Sequence, residues 1–207
     1  MNGLKTPRST LFLAMASAMT LSGCVVQSGG PDHVVDPPPP PPPVYAGCPS
    51  LQGTGASGII PLGNYRGAEV SIESYIFPDS YIRHRNGRGE VSFIRDIWNP
   101  DDAVFIVVPG LADNRCISFE SVNYPDHFLT QDGTNTFLDR FVSNNLDYAE
   151  DATFCPRPGL ADARDLSFET CNYPDSYLNV YNNGLFVDDG FGLEFDQDAT
   201  FLLTPPL

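Results

Sequence analysis

Short runs of alternating apolar and polar residues fill the chain from residue 61 to residue 207. Ser71-Ile72-Glu73-Ser74, Ser118-Phe119-Glu120-Ser121 and Ser167-Phe168-Glu169-Thr170 each set one large apolar side chain between polar neighbours. A period of two sends alternate residues to opposite faces, as in a half-buried strand. Phe105-Ile106-Val107-Val108 is a β-branched run of strand length. Asn86-Gly87, Asp132-Gly133 and Asn183-Gly184 are dipeptides that accept the positive φ angles of tight hairpin turns. No stretch after residue 24 keeps a helical apolar spacing for three turns, so the pattern predicts an all-β domain over 61–207.

The strand pattern is also a repeat. Five residues after each recurring Glu stands a proline between an aromatic and an Asp: Phe77-Pro78-Asp79, Tyr124-Pro125-Asp126 and Tyr173-Pro174-Asp175. Three residues after each proline comes another aromatic: Tyr81, Phe128 and Tyr177. Asp-Ala-X-Phe follows in each copy, from Asp102, Asp151 and Asp198. Pro-Gly-Leu-Ala-Asp begins at Pro109 and Pro158, and Pro205-Pro206-Leu207 stands at the matching point of the third copy. The copies are spaced by 47 to 49 residues. Four short strands in each of three copies predict a twelve-stranded domain. Propellers ordinarily have at least four blades, so threefold repetition favours a β-trefoil, a six-stranded barrel capped by three hairpins. Closure also removes exposed strand edges.

The N-terminal pattern is different. Lys5 and Arg8 precede an apolar run from Leu11 to Leu21, about half the length that spans a bilayer, and residues 1–23 read as a secretory signal. Leu21-Ser22-Gly23-Cys24 resembles the lipobox of bacterial lipoproteins. The resemblance implies cleavage before Cys24, acylation of that cysteine and anchoring of the exported protein at the bacterial cell envelope; Val25, where that family's retention signal has Asp, implies the outer membrane in a Gram-negative cell. Residues 24–60 then form the anchor and a tether, stiffened by seven prolines from Pro37 to Pro43. His33 lies in that tether and reads as solvated.

Composition narrows the partners. The formal net charge is −15, and the predicted signal carries two of the 11 basic residues and none of the 26 acidic ones. Such a surface repels phosphate backbones, which argues against nucleic acid. Five cysteines fit an oxidising compartment: Cys24 for lipid, and Cys48, Cys116, Cys155 and Cys171 as an even set with three possible pairings.

Ser-Phe-Glu-Ser-Val-Asn-Tyr-Pro (118–125), Tyr81-Ile82-Arg83-His84-Arg85-Asn86 and Asp-Ala-Thr-Phe-Cys-Pro-Arg-Pro-Gly-Leu-Ala-Asp (151–162) resemble the arabinose-binding domain of fungal α-L-arabinofuranosidase B, a family 42 carbohydrate-binding module. The resemblance spans about 61–207. It implies a β-trefoil whose copies each form a shallow pocket for an arabinofuranose side chain of arabinoxylan or arabinan. It also implies a Cys116–Cys155 disulfide, which leaves Cys48 with Cys171. In the family a His and the Asp of Asp-Ala-Thr-Phe mark each pocket, and this maps to His84 and Asp102 in the first copy. The second copy keeps Asp151 but has Gln131 at the His position; the third keeps Asp198 but has Val180, with Tyr181 beside it. A carboxylate accepting two hydroxyls, an imidazole and an aromatic face such as Tyr81 or Tyr181 suit a furanose.

Other readings of the same residues are structural. The three Asp residues also suit turn capping. Glu73, Glu120 and Glu169 suit backbone satisfaction. Tyr75, Tyr81, Tyr124, Tyr173 and Tyr177 suit core and interlayer packing, and His127 a solvent-exposed slot. Trp98, the single tryptophan, suits a sugar platform or a core plug equally. No Ser-His-Asp set and no metal-ligand spacing such as Cys-X-X-Cys appears, and the acidic loops at Asp188-Asp189 and Asp196 read as solvated, so no cofactor or metal is expected. Residues 25–60 are too few for a catalytic domain. The sequence thus predicts a non-catalytic surface lipoprotein that binds arabinose-containing polysaccharide, with a separately encoded glycosidase as a further partner. The rival is a trefoil scaffold whose sugar pockets no longer bind.

Overall fold

The computed structural model describes residues 47–52 and 58–207. The predicted signal, Cys24, His33 and the proline run lie outside the described residues. Among those described, no helix is long and apolar enough to cross a membrane.

The domain is a β-trefoil of twelve strands, four to each copy. The first copy holds β1 (Glu69–Ser74), β2 (Ser80–Arg85), β3 (Arg88–Phe93) and β4 (Phe105–Pro109). The second holds β5 (Ile117–Ser121), β6 (His127–Gln131), β7 (Thr136–Arg140) and β8 (Phe154–Pro158). The third holds β9 (Leu166–Thr170), β10 (Tyr177–Tyr181), β11 (Gly184–Asp188) and β12 (Phe201–Thr204). The outer strands of each copy close a six-stranded antiparallel barrel in the order β1-β4-β5-β8-β9-β12 and back to β1. The inner strands form hairpins β2–β3, β6–β7 and β10–β11, which touch one another through Arg88↔Phe137, Gly184↔Glu90 and Asn135↔Phe186. Every barrel strand therefore pairs with a strand of another copy, and one copy alone would leave two open edges.

The alternating pattern explains the core. Ile72, Phe119 and Phe168, from the first strand of each copy, are fully buried with Phe105, Phe154 and Phe201 from the last. Phe119 meets Phe168 edge-on with ring centroids 5.3 Å apart. Ile82, Leu129 and Leu178 from the hairpins form the next layer. Each such side chain contributes about 1.5–3 kcal/mol on burial, and the threefold stacking lets one pattern fill the whole barrel.

The aromatic-Pro-Asp phrase is a tight turn. Proline supplies its second residue, and Asp79, Asp126 and Asp175 take the left-handed third position at φ 61°, 62° and 63°. The recurring glutamates hold it: Glu73, Glu120 and Glu169 each accept the backbone N–H of that Asp, at 2.8, 3.0 and 2.9 Å. One predicted turn moves by a residue. The third hairpin turns at Asn182-Asn183, both with positive φ, while Gly184 already pairs with Tyr181. A Cβ there would lie 2.4 Å from the Phe186 ring, so any larger residue would require that ring to move.

Among the described residues two short α-helices break the strand pattern, α1 (Leu146–Asp151) and α2 (Leu193–Asp198), each six residues long, with a 3-10 turn at Pro100–Ala103 in the same place of the first copy. They end on Asp151 and Asp198, and the turn carries Asp102. The compact part also begins earlier than residue 61. Cys48 is bonded to Cys171, Ser50 N–H donates to the Cys171 carbonyl at 3.0 Å, and Leu51 is buried. The second disulfide joins Cys116 to Cys155 across the second copy.

Candidate functional site

The recurring Asp sits where one copy hands over to the next. Two residues after it, a backbone carbonyl accepts an N–H from just past the next copy's first strand. Val122 donates to Val104, Cys171 to Thr153, and Tyr75 to Thr200, at 3.2, 3.1 and 3.1 Å. These three bonds make the joints equivalent in backbone. They bring residue 123 to the first joint, 172 to the second and 76 to the third, each followed by an aromatic: Tyr124, Tyr173 and Phe77.

The first joint is a closed polar cluster. Asp102 Oδ1 accepts from Asn123 Nδ2 at 2.7 Å and Asn99 Nδ2 at 3.1 Å, and its Oδ2 accepts from the Arg83 guanidinium at 2.6 Å. His84 Nε2 lies 3.0 Å from Asn123 Oδ1, 3.2 Å from Ser121 Oγ and 3.8 Å from Asp102 Oδ1. The Tyr124 ring stands edge-on to the imidazole, 5.2 Å between centroids. His84 and Arg83 are 5 % exposed and Tyr124 is 50 % exposed, so a buried polar floor lies beside an open aromatic wall. Three donors on one carboxylate leave about one of its four lone-pair directions free. A floor of carboxylate, amide and imidazole can both donate to and accept from hydroxyl groups.

At the second joint the imidazole is replaced by an amide. Gln131 Nε2 donates to Asn172 Oδ1 at 2.7 Å and lies 3.4 Å from Asp151 Oδ1, which also accepts from Asn172 Nδ2 at 2.7 Å. Gln131 Oε1 accepts the Gly133 N–H at 2.6 Å, so both ends of the amide are engaged at the position that matches His84 of the first copy. Burial, and then the neighbouring charges of Asp147, Asp132 and Asp139, push the Asp151 carboxyl up from its usual range, against the Asn172 bond.

The third joint has lost the polar set. Val180, 2 % exposed, replaces the His, and Ile76 replaces the Asn. Among the described residues no side chain hydrogen-bonds Asp198, and burial with the Glu194 charge raises its carboxyl.

Two expected contacts are therefore redistributed. Tyr81 does not join His84: an odd separation along β2 turns the two side chains to opposite faces. Burial, with the charges of Glu73 and Asp79, raises the Tyr81 phenol on the turn side. Tyr181 lines a groove whose lining does not include Asp198. It is 65 % exposed and shares this open groove of about 540 Å³ with Gly133, Tyr173, Asn179 and Phe186. Tyr124 and Tyr173, expected in the packing layers, are half exposed at the joints, and Trp98 is 98 % exposed, not a core plug. His127 is half-buried, its Nδ1 3.0 Å from the Pro125 carbonyl. Asn123, Asn172 and Arg83 were missed. Their signal was present: Asn-Tyr-Pro-Asp stands at 123–126 and 172–175, while the first copy reads Ile-Phe-Pro-Asp at 76–79.

Comparison with known proteins agrees with this layout. The sequence profile of the "Alpha-L-arabinofuranosidase B (ABFB) domain" matches residues 70–203. An arabinofuranosidase crystallised with arabinofuranosyl-alpha-1,2-xylobiose is similar at 26 % identity and TM-score 0.62, over 68 % of this chain and 31 % of that one. A GH54 α-L-arabinofuranosidase soaked with a cyclic sulfate inhibitor is similar at 25 % identity and TM-score 0.63, over 74 % of this chain and 34 % of that one. The aligned part is thus about a third of those enzymes' length. The BEL β-trefoil, 14 % identical at TM-score 0.50 over 67 % of this chain and 92 % of its own, shares the fold. No curated protein matches the chain.

Proposed function

The chain belongs to the alpha-L-arabinofuranosidase B domain family, and on that premise we propose that it is a non-catalytic carbohydrate-binding lipoprotein that captures arabinofuranose side chains of arabinoxylan or arabinan. The observation that carries the reading is the first joint, where Asp102, His84 and Asn123 form a hydrogen-bonded floor beside the exposed ring of Tyr124. A furanose carries vicinal hydroxyls on one edge and C–H groups on a face. The floor serves the first and the ring the second. The lipid anchor at Cys24 and the tether through residue 47 would hold this site away from the envelope surface, near polysaccharide or a separately made glycosidase acting on it.

The test is affinity electrophoresis and calorimetry on wheat arabinoxylan and debranched arabinan. The wild-type protein is expected to be retarded, and His84→Ala and Asn123→Ala to lose about tenfold or more in affinity, while Asp198→Ala behaves as wild type. Absence of retardation on every arabinose-decorated polymer defeats the proposal. A second reading, a trefoil scaffold that binds protein, is favoured by the third joint, where Val180 and Ile76 occupy the polar positions. It predicts that the His84→Ala protein keeps every interaction of the wild type.

A further inference from the structure

None of the three recurring Asp residues lines the groove that takes Tyr181, which lies between the second hairpin's turn (Gly133, Thr134) and the outer face of the third hairpin and borders the second joint through Tyr173. At about 540 Å³ it falls within the range of small-ligand sites. Three aromatic residues line it: Tyr181, 65 % exposed, Tyr173, 41 % exposed, and Phe186. Tyr173 is set by the turn. Gly133 sits at φ +87°, and a Cβ there would come within 3.0 Å of the Tyr173 ring, so the ring closes down on bare backbone.

The lining carries a buried amide without a structural duty, Asn179. Asn179 occupies the β10 position that matches Arg83 of β2 and Thr130 of β6. Arg83 is tied to Asp102, and Thr130 Oγ1 donates to Asp139 at 2.7 Å. Asn179 is 94 % buried (6 % exposed), and among the described residues nothing hydrogen-bonds its amide. No described polar side-chain atom is both sealed from solvent and unpartnered, so that amide opens into the groove it lines. Among the described residues no Lys, Arg or His lines the groove, and the exposed Asp188 and Asp189 do.

We propose that this groove is a second glycan site, which takes the main chain of a neutral polysaccharide rather than an arabinofuranose branch. An amide offers a donor and an acceptor side by side, the complement of two neighbouring ring hydroxyls. Tyrosine faces at the walls cover the C–H faces of pyranose rings. The two carboxylates accept further hydroxyls and repel uronate chains. The site stands whether or not the first joint binds arabinofuranose, since the two share no residue.

The test uses the whole protein with xylohexaose, cellohexaose and mannohexaose, which carry no arabinofuranose, and a galacturonate hexamer as the anionic control. Binding is read by shifts of the Asn179 side-chain amide in 15N NMR and by calorimetry. At least one neutral hexamer is expected to move that resonance. Tyr181→Ala and Asn179→Ala are expected to weaken it about tenfold, and His84→Ala to leave it unchanged. Tyr181 is exposed, so its truncation tests the groove even if the Asn179 variant does not fold. No binding of any neutral hexamer, equal binding of the galacturonate, or affinity unmoved by Tyr181→Ala would overturn the assignment. Loss of arabinoxylan binding in His84→Ala with hexamer binding intact separates this site from the first joint.

Discussion

Replacing Asp102 by Ala should cost the fold far more than the same change at Asp198, although the two stand at matching points of the repeat. Asp102 Oδ2 holds the Arg83 guanidinium at 2.6 Å, and the two side chains are 6 % and 18 % exposed for Arg83 and Asp102. The other carboxylate near Arg83, Glu90, is 3.9 Å away and already accepts from Arg85 and Ser92. Removing one partner of a buried pair leaves an uncompensated charge at about 3–5 kcal/mol; partial exposure of Asp102 reduces this to about 2–4. Asn123 also loses the acceptor for its Nδ2 at 2.7 Å, about 1 kcal/mol more. The sum is about 3–5 kcal/mol. For a compact part of this size each kcal/mol lowers the melting temperature by about 2–4 °C, so Asp102→Ala should melt roughly 10 °C below wild type. Asp198 has no side-chain donor among the described residues and a carboxyl disfavoured by burial and Glu194, so Asp198→Ala should stay within about 1 kcal/mol. Calorimetry of both variants, disulfides intact, decides it. Melting temperatures within about 2 °C of each other would refute the claim that the first joint is fastened through this carboxylate.

Other consequences are as direct. Because Gln131 fills the His position against Asp151 and Asn172, Gln131→His should raise the number of arabinofuranosyl-oligosaccharide sites from one to two by calorimetry; unchanged stoichiometry would show that the second joint needs more than the imidazole. Asp198 has a raised carboxyl in the fold, so the folded state binds its proton more readily than the unfolded chain, and stability falls as pH rises through that raised value. Asp198→Asn should therefore be more stable than wild type at neutral pH, with the difference vanishing below the ordinary carboxylate range in a urea series. Asp113 has the opposite sign: Arg115 holds its carboxyl low, so its contribution is present at neutral pH and lost on acidification, and Asp113→Asn should flatten that acid limb. Removing the Cys48–Cys171 bridge by a double Ser substitution opens a 123-residue separation, about 4–5 kcal/mol by loop entropy. Proteolysis should then release the segment around Leu51 first.

How much of this was legible in the sequence depends on range. Strands and turns were readable because each copy restates them locally: Glu, the proline and the left-handed Asp lie within a few residues of one another. The short helices were not, since six residues are under two turns and leave no period to detect. The joint was half legible. His84 and Asp102 belong to one copy, but Asn123 and Tyr124 come from the next, 21 and 22 residues beyond Asp102. Only closure of the barrel decides which copy supplies them. Tyr124 read as packing because its neighbours are strand-like, yet the turn behind it points the ring outward.

The division of labour inside the repeat explains why the copies diverge where they do. The bonds that build the trefoil use backbone groups and a small set of side chains present in every copy: Glu73, Glu120 and Glu169 on the turn, and Ser71, Ser118 and Ser167, of which Ser71 and Ser167 donate to the Ala103 and Ala199 carbonyls ahead of their own copy's last strand and Ser118 accepts the Leu111 N–H of the preceding loop. The pairs His84/Asn123, Gln131/Asn172 and Val180/Ile76 lie outside that set. They can change without touching the barrel, and an apolar pair at the third joint buries Val180 at no cost in unsatisfied groups. The same freedom operates one residue earlier in each second strand. There Arg83 and Thr130 are bound to carboxylates, while Asn179 is released toward the groove under Tyr181. Third-copy binding is therefore best sought on the hairpin face and not beside Asp198. A variant carrying only the first-joint substitutions would leave that face unaltered.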